Sequence, residues 1–393
     1  MRLVPLAVGA ALVAGAALGP SADATPRRVT YLVTLAPGSA APRIVAATAA
    51  ALGGQVRFVY SHALRGFAVE LPVTALAVLR HLPGVQGVSP DQPIQVAKAG
   101  TSRVTTQNNP GSYGLDRIDQ RNLPLSHSYR FRSTGSGVTA YIVDTGIRVT
   151  HRDFGGRAVL GYDAVGGGAS DCNGHGTHVA GTLGGKNAGV AKAVRLVAVR
   201  VLDCNGSGGD ATVVAGLDWV VAHHQKGQPA VINMSLGGGA SSAVDQAVQG
   251  AIDNGITVAV AAGNDGGALL GGLTGQSDAC HSSPSRVPGA ITVGATDSND
   301  AFTSYSDYGR CVDLLAPGDA ILSDWFASDT AQETLSGTSM ATPHAAGVAA
   351  LYLARHPSAS PASVESALTG HASQGVVTGV PSGTANRLLF TDY

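Results

Sequence analysis

The sequence predicts a doubly wound α/β protein, with a mainly parallel sheet covered by helices on both faces, preceded by a smaller α+β unit. Short apolar runs rich in β-branched residues recur from residue 138 to residue 315, with helical segments between them, as strands buried on both faces require. Glycine is abundant, at 53 of 393 residues, against an average share of about 7%. Charged residues are scarce, at 13% against about 25% in typical domains. Such a composition suits a large buried sheet with tight functional turns, and the length exceeds the ~100–200 residues of one simple domain.

The chain opens on a targeting signal. Arg2 supplies the positive end, residues 3–18 are apolar, and Gly19-Pro20 precedes Ala22-Asp23-Ala24, a small-x-small cleavage site. The signal spans residues 1–24, and the apolar run is too short for a membrane anchor. The protein is therefore expected to be secreted and extracellular.

The next segment reads as strand 29–35, helix 42–52, strands 55–61 and 66–71, helix 73–82 and a long strand 85–96. The order βαββαβ is that of a ferredoxin-like split βαβ unit. Beyond about residue 100 the strands are 138–143, 194–202, 230–234, 256–261, 290–294 and 312–315. Helices 176–183, 211–223 and 242–253 lie between several of them. Net charge is −1 and the isoelectric point about 6.9, so there is no basic surface for nucleic acid.

Four motifs carry chemistry. Strand 138–143 runs into Asp144-Thr145-Gly146, a carboxylate at a strand's carboxyl end. Asn173-Gly174-His175-Gly176-Thr177-His178 puts a glycine-flanked histidine at a helix start, and strand 256–261 leads to Ala262-Gly263-Asn264. Gly337-Thr338-Ser339-Met340-Ala341-Thr342-Pro343-His344 sets a serine in a glycine turn at the mouth of an apolar helix, where unpaired first-turn N–H groups face developing negative charge. Each residue type has a task in acyl transfer. The hydroxyl attacks, the imidazole takes its proton, the carboxylate orients the imidazolium, and the amide donates to the oxyanion.

With these motifs the chain resembles the subtilisin-like serine proteases, and within them the proteinase K and aqualysin group, over nearly everything after about Gly100. The resemblance implies a subtilisin-like fold and a secreted serine endopeptidase with Asp144, His175 and Ser339 as its triad. Asn264 and the Ser339 N–H would form the oxyanion hole. Gly206-Ser207-Gly208 and Ser235-Leu236-Gly237 would bind substrate as an added β-strand, through main-chain bonds that carry little sequence information, so cleavage is expected to be broad. Where proteinase K has a tyrosine after its Gly-Ser-Gly segment, this chain has Gly209-Asp210. An apolar S4 preference is then in doubt, and Asp210 reads as the N-cap of helix 211–223.

The resemblance further implies that residues 25–103 are an inhibitory propeptide that assists folding and leaves its tail in the substrate groove, with residues 104–393 as the catalytic domain. Self-cleavage would fall within 96–106. It implies a monomer acting on proteins and peptides, with its own propeptide as intramolecular inhibitor. Cys172, Cys204, Cys280 and Cys311 allow three pairings; relatives of the aqualysin type pair the equivalents of Cys172 with Cys204 and Cys280 with Cys311. Two calcium sites are implied. Asp313 with the carbonyls of Pro288 and Ala290 would form one, and Asp116, Asp119 and Gln120, followed by Ser126 and Ser128, the other, oxygen donors of the kind calcium takes.

Alternatives with other chemistry are weaker. His175 and His178 lack the glutamate and spacing of a zinc hydrolase, and His178 and His344 read as packed helix residues. No C-x-x-C spacing supports zinc. A catalytically silent binding protein of the same fold would normally lack one of Asp144, His175, Asn264 or Ser339, and all four are present.

Overall fold

The computed structural model describes residues 27–96, 110–264 and 277–393. The signal segment 1–24 lies outside the described residues, as does the cleavage window beyond Val96.

The N-terminal unit contains β1 (Arg28–Leu35), α1 (Pro42–Ala50), β2 (Gln55–Tyr60), β3 (Gly66–Pro72), α2 (Leu76–Arg80) and β4 (Val85–Pro90). Its antiparallel sheet has the order β2-β3-β1-β4, the split βαβ arrangement expected. The predicted strand 85–96 is two strands, since β5 (Pro93–Val96) leaves for a different sheet. Pro90 and Pro93 supply no ladder N–H, and the chain crosses over at Asp91 between them, whose own N–H is bonded to Thr30 at 2.9 Å.

The larger unit follows as α3 (Tyr113–Ile118), β6 (Thr139–Asp144), β7 (Ala158–Asp163), α4 (His175–Gly184), β8 (Arg195–Arg200), β9 (Ser207–Gly209), α5 (Asp210–His223), β10 (Ala230–Met234), β11 (Leu236–Gly239), α6 (Ser242–Asp253) and β12 (Thr257–Ala261). Then come β13 (Ser282–Ser283), β14 (Ile291–Thr296), β15 (Leu314–Pro317), β16 (Ile321–Asp324), β17 (Gln332–Leu335), α7 (Thr338–Arg355), α8 (Pro361–His371), β18 (Ser373–Gln374) and β19 (Arg387–Leu388). The nine-stranded central sheet has the order β18-β19-β15-β14-β12-β10-β6-β8-β7. Every neighbouring pair in it is parallel except β18 with β19.

Two cores lie on opposite faces of this sheet. Buried residues of α4 and α7, such as Val179, Leu183, Ala345 and Val348, fill one; those of α5 and α6, such as Val214, Leu217, Val244 and Val248, fill the other. The N-terminal unit joins the second core through Leu32, Tyr60, Ala63, Leu64 and Ala68. Gly250 on α6 permits that approach, because a Cβ there would stand 2.1 Å from the Ala63 carbonyl oxygen. Strand order reverses between β6 and β10, and ligands of such sheets bind at the carboxyl ends of the strands at this switch point.

Candidate active site

Asp144 ends β6, and Ser235 directly follows β10, its neighbour in the sheet. The carboxylate of Asp144 lies 2.9 and 3.0 Å from Nδ1 of His175, the first residue of α4, and both side chains are fully buried. The arrangement fixes Nδ1 as the donor and leaves Nε2 free to accept. Nε2 is buried and makes no hydrogen bond. Gly176 N–H donates to Thr145 Oγ1 at 2.9 Å, tying the α4 start to the end of β6.

Ser339 is the second residue of α7, whose N-cap Gly337 has φ +150°, a backbone conformation that suits glycine. The Ser339 hydroxyl donates to the Ser235 carbonyl at 3.0 Å, and the Ser235 hydroxyl returns a bond to the Ser339 carbonyl at 2.8 Å. Asn264 stands three residues beyond β12. Its Oδ1 accepts both the N–H and the hydroxyl of Thr338, at 2.9 and 3.0 Å, which settles the amide's orientation. Its Nδ2 is buried and unpartnered, so one amide donor is held ready beside the serine. Thr338 was missed by the sequence reading; its place one residue before the serine was the available signal.

The strands predicted to bind substrate do flank an extended segment, and that segment is β5. It pairs antiparallel with β11, Val96 opposite Leu236 and Ile94 opposite Gly238. On its other side it pairs with β9, Gln95 opposite Ser207 and Pro93 opposite Gly209. The main chain of residues 93–96 therefore runs between the two walls as a middle strand. Gly206, just before β9, has φ +75° and turns the chain into it.

Asp210 differs from its expected role. Gly209 is the N-cap of α5 and Asp210 its first residue; the Ala211 N–H at that helix start is instead bonded by Asp91, at 2.9 Å. Burial, with the neighbouring Asp91 contributing, raises the Asp210 carboxyl to about 6. His178 bonds the carbonyls of Ile321 and Glu333, and His344 that of Met340. Burial lowers His178 to about 3 and His344 to about 4, so both are neutral packing residues.

The disulfides are Cys172–Cys204 and Cys280–Cys311. Among the acids considered for calcium, Asp116 is already held by Ser126 N–H and hydroxyl and by His127 N–H. Asp119 is different, because one carboxylate oxygen takes the Arg130 N–H while the other is buried with no partner. Gln120 Oε1 lies in the same loop, on Ser126 N–H at 3.0 Å. The buried Asp119 oxygen without a partner is a hard donor of the kind calcium takes. At the other place Asp313 takes the Thr292 N–H at 2.9 Å, and burial raises its carboxyl to about 7. Thr292, its bonding partner, follows Ala290 by two residues along the chain.

Comparison with known proteins gives one family. The sequence profile of the subtilase family matches residues 135–387. An extracellular serine proteinase of Thermus sp. (strain Rt41A) is 52% identical over 379 residues, covering 95% of this chain and 88% of that one. A cuticle-degrading protease of Metarhizium anisopliae is 42% identical over 347 residues, covering 87% of this chain and 84% of that one. The crystal structure of a cold-adapted subtilisin-like serine proteinase superposes with a TM-score of 0.67 at 51% identity, covering 72% of this chain and 98% of that chain.

Proposed function

The chain belongs to the subtilase family, and from that premise we propose that it is a secreted serine endopeptidase, made as a self-processing precursor, which hydrolyses peptide bonds through Asp144, His175 and Ser339. The observation that carries this reading is the buried Asp144–His175 pair, with Nε2 of the imidazole left unpartnered. Ser339 Oγ attacks the scissile carbonyl as His175 Nε2 takes its proton. Asp144 holds Nδ1–H and stabilises the imidazolium. The tetrahedral oxyanion is met by Asn264 Nδ2; its collapse breaks the C–N bond as His175 Nε2 gives its proton to the leaving amine, and the acyl-enzyme is hydrolysed by a water that His175 deprotonates, the proton then returning to Ser339 Oγ.

Substrate binds as a strand between β9 and β11, through main-chain bonds, so cleavage is broad. The seat of β5 in that groove supports residues 25–103 as an inhibitory propeptide and 104–393 as the catalytic domain. The protein acts as a monomer. Calcium, which the family generally binds, would be held by Asp119 with Asp116 and Gln120, and by Asp313 with the Pro288 and Ala290 carbonyls; it supplies loop rigidity and takes no part in the reaction.

The test is covalent labelling with a serine-directed fluorophosphonate. The processed wild type is expected to be labelled at Ser339 and to cleave peptides, and Ser339→Ala to do neither. Peptide cleavage that survives Ser339→Ala would overturn the assignment.

A further inference from the structure

Asp171 has no role in the sequence reading, yet it lies four residues before His175 and is buried. Its Oδ1 accepts the Thr145 hydroxyl at 3.0 Å and the N–H groups of Asn173 and Gly174, both at 2.9 Å. Its Oδ2 accepts the Thr177 N–H at 2.9 Å and the Thr177 hydroxyl at 2.5 Å. All five donors are neutral, and among the described residues Asp171 forms no ion pair. A buried carboxylate is costly unless every lone pair is used, and here the donors belong to the two segments that carry Asp144 and His175. Thr145 follows Asp144 directly. Asn173, Gly174 and Thr177 surround His175.

The network closes through Thr145, whose oxygen donates to Asp171 and accepts the Gly176 N–H at 2.9 Å. The loop is pinned from outside as well, since Cys172 is bonded to Cys204 and the Asn173 amide donates to the Cys204 carbonyl at 2.9 Å.

We propose that Asp171 is a positioning residue of the reaction: by accepting from both segments at once it fixes the start of α4 against the end of β6, and so sets the imidazole of His175 on the Asp144 carboxylate. The inference rests on the protease reading above. Asp171 touches neither substrate strand, so its work shows in the chemical step. A base displaced by about 1 Å can cost on the order of 10²-fold in rate.

The test compares Asp171→Ala, Asp171→Asn and Thr145→Val in the processed enzyme, measuring kcat, KM, Tm and the rate of fluorophosphonate labelling at Ser339. Should a variant mature slowly, its rate of self-cleavage in the full chain replaces kcat. Asp171→Ala is expected to lower kcat and labelling together by roughly 10–100-fold, with KM changed by less than about twofold because β9 and β11 are untouched. Asparagine keeps one acceptor oxygen for the Thr145 side and should restore kcat to within several-fold of wild type. Thr145→Val, which retains shape and loses both links, should reproduce the fall in kcat at unchanged KM. A folded Asp171→Ala enzyme with wild-type kcat, a loss confined to KM, or an asparagine variant as impaired as alanine would each overturn the proposal. A wild type that is not labelled at Ser339 would instead overturn the protease reading itself.

Discussion

The carboxylate of Asp91 accepts the backbone N–H of Ala211 at 2.9 Å, so an acid of the N-terminal unit stands at the N-terminus of α5, next to Asp210. An anion at that place is favoured by the helix dipole, but Asp210 is a second acid at the same turn. Burial raises both carboxyls, that of Asp210 to about 6, with Asp245 adding to Asp210. Tyr60 and Asp218 face the same junction.

This pair predicts a pH-dependent hold on the cleaved N-terminal unit. A carboxyl raised above its ordinary value near 4 favours the bound state below that value, and the contribution is lost as pH rises through about 6. On gel filtration more of the cut fragment should co-elute with the protease at pH 5 than at pH 7.5, by up to about tenfold in affinity per pKa unit. Asp91→Asn should flatten part of the difference, and Asp91→Asn with Asp210→Asn nearly all of it. Equal retention at both pH values in the wild type would contradict the mechanism.

Self-cleavage should depend on Ser339 in the same molecule. Val96, the last described residue of β5, lies opposite Leu236, and the carbonyl of Ser235, one residue earlier, is the acceptor of the Ser339 hydroxyl, so β5 ends its pairing one position from the nucleophile's own acceptor. Intact-mass measurement should find the wild type cut within 96–106 and Ser339→Ala uncut. Identical trimming of both would mean that another protease matures the chain.

Strands whose apolar runs are continuous were legible at their true positions; 230–234 agrees to the residue, because burial on both faces leaves no alternation to misread. β7 was not, since Gly161 interrupts it at a register shift and Leu160 is exposed, which makes it look like a loop. α3 has six residues, too few to show a period, and α8 was also absent from the expected helices although Ser360-Pro361 marks its start. Asp144, His175, Asn264 and Ser339 could be singled out because each motif is local. Asp171 and Asp91 could not, because their partners at Thr145 and Ala211 are distant in sequence.

Asn264 should contribute to the chemical step and little to binding. Thr338 holds its oxygen, leaving Nδ2 as the donor. Loss of such a donor typically costs about 10²–10³ in kcat, a figure that comes from this same family. Asn264→Ala is expected to lower kcat by that order at nearly constant KM in steady-state peptide hydrolysis. Thr338→Val, which keeps the backbone N–H bond and removes the hydroxyl, should cost less. A KM effect larger than the kcat effect would remove Asn264 from the oxyanion hole.

Calcium removal should lower stability, and Asp119 is the residue through which it should do so. Asp116 already spends its oxygens on three loop donors, while Asp119 keeps one buried oxygen with no partner, and a buried anionic oxygen is costly unless a cation or donor meets it. A ligand present at a hundred times its Kd stabilises by about 2.7 kcal/mol, which for a domain of 150–250 residues is roughly 5–10 °C in Tm. Chelation of the processed wild type should therefore lower Tm by several degrees, and added calcium should restore it. Asp119→Ala should lose part of that response and keep the part due to Asp313, and Asp119→Ala with Asp313→Ala should lose it all. A wild type whose Tm does not move on chelation would exclude both sites, and a full response surviving in Asp119→Ala would place the ion elsewhere than the loop after α3.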